Sequence, residues 1–148
     1  MRSNPAPIHA LGEIAIRCRD HAAMVTFYRD VVGLPIMKSF PDSGITFFKI
    51  AEGYEGHTTV LALFRYDAIQ REFHDKPADP PEAGAGSSLH HLALTVDYHR
   101  QDTLCAFLEA NDIPYTVQNF EWVGWRGVFI KDPDGNTVEF VAGLPKPD

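Results

Sequence analysis

The chain has 148 residues, of which 45% are hydrophobic and 22% charged, a composition typical of one globular domain. Its net charge of −7 comes without a basic cluster, which argues against a nucleic-acid partner because such binding depends on neutralising phosphates. The apolar runs are too short to cross a bilayer, and the N-terminus has no apolar signal segment. Cys18 and Cys105 are therefore expected as reduced thiols in a cytoplasmic protein without a membrane partner.

The first part of the chain, residues 8–64, predicts a strand, a helix and three more strands. Apolar and polar residues alternate over Gly12–Cys18, as in a half-buried strand. Asp20 is a candidate helix N-cap, and Gly33 stands where a left-handed residue would end that helix. Further strands are expected around residues 36–40, 45–50 and 58–64.

The same order of elements recurs over residues 88–142. An alternating strand at Leu89–Val96 precedes a helix that ends near Asn111. Three strands are expected after it, around residues 115–120, 123–130 and 137–141. Between the repeats, residues 65–87 predict a linker that begins with a short exposed helix at Tyr66–His74. The repeat predicts one domain, residues 8–142, made of modules 8–64 and 88–142.

Superposing the repeats pairs Glu13 with His91 and Ala62 with Glu139. If each helix covers the apolar side of its sheet, alternation places Glu13, His91 and Glu139 on the opposite, concave side. The same alternation predicts that His91 reaches the cavity and that His90 does not. Three such side chains are explained by a divalent cation, by a cavity held together by hydrogen bonds, or by pairing of Glu13 with Arg126.

Four motifs carry a resemblance to a known family: Glu13-Ile-Ala-Ile-Arg, Phe27-Tyr-Arg-Asp-Val-Val-Gly-Leu, His91-Leu-Ala-Leu and Asp132-Pro-Asp-Gly-Asn-Thr-Val-Glu. In this order they resemble the vicinal oxygen chelate superfamily. That group includes glyoxalase I, the bleomycin resistance proteins, fosfomycin-modifying enzymes and extradiol dioxygenases. The resemblance implies an α+β fold in which two tandem βαβββ modules form an incomplete eight-stranded barrel around a site.

The resemblance also implies a metal site. Glu13, His91 and Glu139 match the family's ligand positions for a divalent ion such as Zn, Mn, Fe, Co or Ni, and Glu13 is also the candidate catalytic base. Ala62 stands where glyoxalase I enzymes have a fourth ligand, and Glu13 stands where the dioxygenases have a histidine. The reaction class therefore stays open among lyase, isomerase and dioxygenase.

The expected substrate is a small oxygen-rich molecule that chelates the metal through two oxygens. Candidate substrate-binding residues are Phe64, Trp125 and Arg126, of which Arg126 would meet an anionic group. The alternative is a metal-free protein that binds a small molecule or antibiotic, as bleomycin resistance proteins do, in an aromatic groove. A homodimer is expected in either case, because open half-barrels expose strand edges.

Overall fold

The computed structural model describes residues 3–68 and 79–146. The chain divides into two compact units, Met1–Pro81 and Glu82–Asp148. The middle of the predicted linker and most of the predicted helix at Tyr66–His74 lie outside the described residues. Among the described residues, no helix is long and apolar enough to cross a membrane. Both cysteines are free thiols.

The first unit is a βαβββ module, as predicted. Its elements are β1 (Glu13–Cys18), α1 (His21–Asp30), β2 (Ile36–Phe40), β3 (Ile45–Tyr54) and β4 (His57–Arg65). The strands form one open sheet in the order β1-β4-β3-β2, in which β1 runs parallel to β4 and the other pairs are antiparallel. The parallel pair requires a crossover, and α1 lies within that crossover.

Helix α1 covers one face of the first sheet. Its first turn is capped by Asp20, whose Oδ1 accepts a hydrogen bond from the Ala23 amide at 3.0 Å, as the sequence predicts. Its buried side chains pack on the sheet, and the rings of Tyr28 and Phe48 lie 6.4 Å apart. Because β1 alternates, the exposed Glu13 lies on the face that α1 leaves open.

The second unit repeats this plan. Its elements are β5 (Leu92–Thr95), α2 (Gln101–Ala110), β6 (Thr116–Phe120), β7 (Trp125–Lys131) and β8 (Thr137–Gly143), in the sheet order β5-β8-β7-β6. Strand β5 is shorter than the predicted Leu89–Val96. It begins at Leu92, and the Leu89 amide donates outside the ladder, to Ser87 Oγ at 3.0 Å.

The turn between β7 and β8 sets the register of these strands. The buried Asp132 carboxylate accepts hydrogen bonds from the amides of Asp134 and Asn136 and from the Asn136 side chain, at 2.8 to 3.1 Å. Gly135 has a φ of +95°, a conformation that favours glycine. The turn thereby aligns Phe129 opposite Glu139 in the antiparallel ladder.

Equivalent residues of the two modules occupy the same register positions. Ala15 pairs with Ala62 across the β1–β4 ladder, and Ala93 pairs with Glu139 across the β5–β8 ladder. These are the positions that the sequence repeat superposes. The predicted α+β fold of two βαβββ modules is confirmed, and each sheet is open at its edges.

His21, the first residue of α1, has a partly buried imidazole whose pKa is lowered by its surroundings. Its Nε2 is buried without a hydrogen-bond partner among the described residues. Burial lowers the pKa of His21 below 6.5, although a hydrogen bond with the Leu63 backbone and the nearby Asp20 act in the opposite direction. The neutral ring is therefore the form that the folded unit accommodates.

We predict that His21 reduces stability as the solution becomes acidic. Because its pKa is lower in the folded chain than in the unfolded chain, stability falls as the pH drops through 6.5. The free energy of unfolding of the wild-type protein should therefore approach that of His21→Gln between pH 7.5 and pH 5, as measured by urea denaturation. A difference between the two proteins that stays constant over this range would contradict the prediction.

Candidate functional site

The second unit contains a cavity of about 380 Å³ on the sheet face opposite α2. One part of its wall is aromatic and consists of Phe120, Trp122, Trp125 and Phe129. The other part is polar and consists of His90, His91, Gln118, Thr137 and Glu139. The size falls in the range of small-molecule sites, which are mostly apolar with a few placed polar groups.

Glu139 is a buried carboxylate in this wall. The residue is 6% exposed, and its Oε2 lies 3.1 Å from His91 Nε2. Phe129 stands opposite Glu139 in the β7–β8 ladder, and its ring centroid is 6.4 Å from that of His91. A buried carboxylate is costly without a partner, and here the described partner is the imidazole on one side. The structure thus brings together the predicted ligands His91 and Glu139.

His90 also lines the cavity, so the expectation that only His91 reaches it is wrong. The Nδ1 atoms of the two rings lie 2.8 Å apart. The expectation relied on strand alternation, but β5 begins at Leu92, and residues outside a paired strand need not alternate. One Nδ1 must donate to the other, so His90 restrains the orientation and tautomer of the ring that contacts Glu139.

Gly127 makes room for the buried carboxylate. A side-chain methyl group at this position would overlap Oε1 of Glu139 and lie 2.8 Å from Cε2 of Phe129. Sequence reasoning missed Gly127, although a glycine inside a strand often marks such a close approach. The sequence prediction also left out Gln118, Phe120, Phe129 and Thr137, which the alternation of the paired strands β6, β7 and β8 places on the cavity face.

Of the three predicted substrate-binding residues, Trp125, Arg126 and Phe64, only Trp125 is in the described lining of this cavity. Arg126, its neighbour in β7, lies on the other face of the sheet, where its Nε donates to Gln101 Oε1 at 2.6 Å and its guanidinium stacks over Tyr98 at 4.2 Å. Gln101 in turn is fully buried and donates to the backbone carbonyls of Arg126 and Phe140. These contacts give Arg126 a packing role, and we leave it out of the site proposed below.

Glu13 and Phe64 belong to the first unit. Glu13 is exposed at the start of β1. Phe64 is half-buried in β4, and its ring contacts Phe47 edge to face at 6.3 Å. Both residues lie on the face of the first sheet that α1 does not cover, together with Ala62.

The described residues offer a partial donor set for a metal ion. Among them, no group of three or more histidine, cysteine or acidic side chains is close enough to hold an ion. The pair of His91 and Glu139 provides an imidazole nitrogen and a carboxylate oxygen, which zinc and similar divalent ions accept together. This pair would supply two ligands to such an ion, on the wall of the cavity.

We predict that Gly127→Ala displaces the Glu139 carboxylate. The added methyl group overlaps Oε1, so either the carboxylate moves or the strands shift, at a cost of about 1–3 kcal/mol in unfolding free energy. Thermal unfolding should show the lower stability. NMR spectra should show altered His91 ring signals, because the contact between His91 and Glu139 changes.

Gly143→Ala is the matched control, because Gly143 lies in the adjacent strand β8 and faces open space. It should leave both measurements close to wild type. Equal effects of the two substitutions would show that Gly127 has no special role beside Glu139.

Comparison with known proteins identifies the family. The model of the Glyoxalase/Bleomycin resistance protein/Dioxygenase superfamily matches residues 10–140. Among solved structures, lactoylglutathione lyase from Agrobacterium tumefaciens is 26% identical with a TM-score of 0.71, and the match covers 93% of this chain and 96% of that one. A search of curated proteins found no match.

Two further structures share the fold at lower identity. A glyoxalase/dioxygenase from Nostoc punctiforme is 23% identical with a TM-score of 0.68, and 99% of each chain is covered. The fosfomycin resistance protein FosX from Mesorhizobium loti is 17% identical with a TM-score of 0.61, and the match covers 93% of this chain and 95% of that one. With nearly its whole length matched by the family model, the chain belongs to the glyoxalase/bleomycin resistance protein/dioxygenase superfamily.

Proposed function

We propose that this chain is a metal-dependent enzyme of the lyase, isomerase or dioxygenase type, with a small oxygen-rich molecule as its substrate. The observation that carries the proposal is the buried Glu139 carboxylate, which meets His91 Nε2 at 3.1 Å on one side and an open cavity on the other. A carboxylate in this position is stabilised by a cation, and the imidazole beside it is a second ligand for the same ion.

A divalent ion at this pair would act as a Lewis acid toward two adjacent oxygens of a substrate. The chain's own residues have separate tasks. His90 holds the His91 ring through the contact between their Nδ1 atoms, and Gly127 leaves the space that the carboxylate occupies. The aromatic wall offers the substrate an apolar surface beside the pair of His91 and Glu139.

Glu13 is the third residue of the proposal, on the strength of the family resemblance. We propose it as a ligand of the same ion or as the general base. The two roles differ in their consequence: loss of a ligand weakens metal binding, whereas loss of a base leaves the metal bound and slows the reaction. The name of the Agrobacterium relative points to a lyase, whereas Ala62 stands where glyoxalase I enzymes have a fourth ligand, so the proposal keeps all three reaction classes.

The alternative function is that of a metal-free protein that binds a small molecule or an antibiotic. Two observations favour it: four aromatic side chains line the cavity, and the described residues hold no group of three metal-binding side chains. In that case the contact between His91 and Glu139 is a structural hydrogen bond in the cavity wall.

We predict that protein purified without chelators contains about one divalent ion per chain, which mass spectrometry of the metals would identify. Glu139→Gln keeps the shape of the side chain but removes its charge, so the bound metal should be lost or its affinity should fall at least about tenfold. Adding the ion to chelator-treated protein should raise the melting temperature of the wild type.

The matched control is Glu52→Gln, which removes an exposed carboxylate paired with Lys49 and should leave the metal content unchanged. Glu13→Gln then separates the two roles proposed for Glu13. A wild-type protein without bound metal and without a thermal shift on addition of Zn, Mn, Fe, Co or Ni would contradict the enzyme and support the alternative.

We also propose a cytoplasmic homodimer, in agreement with the sequence prediction. Each described sheet ends in an outer strand with little cover: all five residues of β2 are exposed, and most of β6 is exposed as well. Exposed outer strands favour pairing with another chain. Light scattering should give twice the chain mass of 16.5 kDa, and a mass equal to that of one chain would contradict the dimer.

A further inference from the structure

The cavity of the second unit has an aromatic wall, whose ligand preference the metal proposal does not specify. Its apolar part contains two pairs of aromatic rings: the ring centroids of Trp122 and Trp125 lie 6.5 Å apart, and those of Phe120 and Phe129 lie 6.3 Å apart. Phe129 also contacts the His91 ring, so the aromatic wall leads to the polar end of the cavity.

The two tryptophans present unusually large exposed rings. Trp122, in the turn before β7, is 84% exposed, and Trp125 is 47% exposed. Large aromatic side chains normally bury most of their surface, because exposed apolar area is unfavourable in water. Two such rings at the mouth of one cavity are typical of a surface that a flat apolar ligand covers by stacking.

The charge of the cavity points to the same kind of ligand. Its described lining contains the carboxylate of Glu139 and no lysine or arginine. Lys131 lines a neighbouring hollow instead, where its amine donates to Thr137 Oγ1. The guanidinium of Arg126 is held on the opposite face of the sheet. Apart from the imidazoles of His90 and His91, of which His91 is already paired with Glu139, an anionic ligand would meet the carboxylate with no lysine or arginine in the described lining.

From these observations we infer that the second-unit cavity binds a small planar aromatic molecule that carries no anionic group. The planes of Trp122 and Trp125 are inclined by 48°, so its ring stacks on one indole and contacts the other at an angle. Its polar substituents point toward His91, Gln118 and Glu139. The inference names the ligand class of the site in the proposed function and rests on that assignment for its catalytic meaning.

The experiment uses the indole N–H signals of the full-length protein. The chain has two tryptophans, and both line the cavity, so two resonances in a ¹H–¹⁵N spectrum report on it. Three probes are titrated into chelator-treated protein: 2-naphthol, naphthalene-2-sulfonate and trans-cyclohexane-1,2-diol. The first is a neutral aromatic, the second has the same rings with a fixed negative charge, and the third has adjacent oxygens without a π system.

We predict that 2-naphthol shifts both indole signals in a saturable manner and that the sulfonate binds at least about tenfold more weakly. The diol should shift neither signal. Glu139→Gln removes the repelling charge and should reduce the preference for naphthol over the sulfonate to about threefold or less. Trp125→Leu should weaken naphthol binding about fivefold, whereas the exposed Phe107→Leu on α2 should not change it.

Three results would overturn the inference: no saturable shift with 2-naphthol, equal binding of the sulfonate by the wild type, or a diol that binds as tightly as naphthol. Indole signals that move on dilution without any probe would show instead that another copy of the chain covers this surface. Repeating the titrations with zinc keeps the two proposals apart. A protein that binds no metal but shows the naphthol preference disproves only the proposed function, and metal binding without that preference disproves only this inference.

Discussion

The site depends on one constraint, the burial of the Glu139 carboxylate in the wall of a sheet. A carboxylate removed from water needs compensation, and the chain provides it on one side through His91 Nε2. Several local features serve this arrangement. The turn at Asp132–Asn136 sets the register that places Glu139 opposite Phe129, and Gly127 leaves the volume that the carboxylate fills. The carboxylate also lines the cavity, and for this reason the proposed chemistry is centred on Glu139.

The two modules show how one topology carries different chemistry. Ala62 and Glu139 occupy the same register position, opposite Ala15 and Ala93 in the parallel ladders. The open face of the first sheet around Ala62 is apolar, with the rings of Phe47 and Phe64 in contact. Both side chains point away from the helix-covered core. The backbone pairing is therefore the same whether alanine or glutamate stands at this position. The two modules therefore differ in chemistry through the side chain at one shared register position.

Local signals made most of the fold predictable from the sequence. Alternation located β1, and Asp20 marked the start of α1, because both depend on residues that are close in the chain. The site was predictable where a residue lies in a paired strand, as for Glu139. It was not predictable at His90, which lies before β5 and turns toward His91 through a contact between side chains. The space at Gly127 and the network that holds Arg126 depend on contacts between strands and helix that no single segment encodes.

The aromatic wall and the buried carboxylate together connect the two functions considered for this chain. Without a cation, Glu139 repels anions, and stacking on Trp122 and Trp125 favours a neutral ring, as a binding protein would require. A divalent ion held by His91 and Glu139 would reverse the sign of the charge at the same end of the cavity and favour ligands with electron-rich oxygens. One flat ligand can suit both the metal-free and the metal-bound cavity. Its polar substituents must be neutral in solution and become metal ligands on binding. An aromatic molecule with adjacent hydroxyl groups has this property, so a metal-free binder and a metal-dependent enzyme could share this wall with little change in sequence.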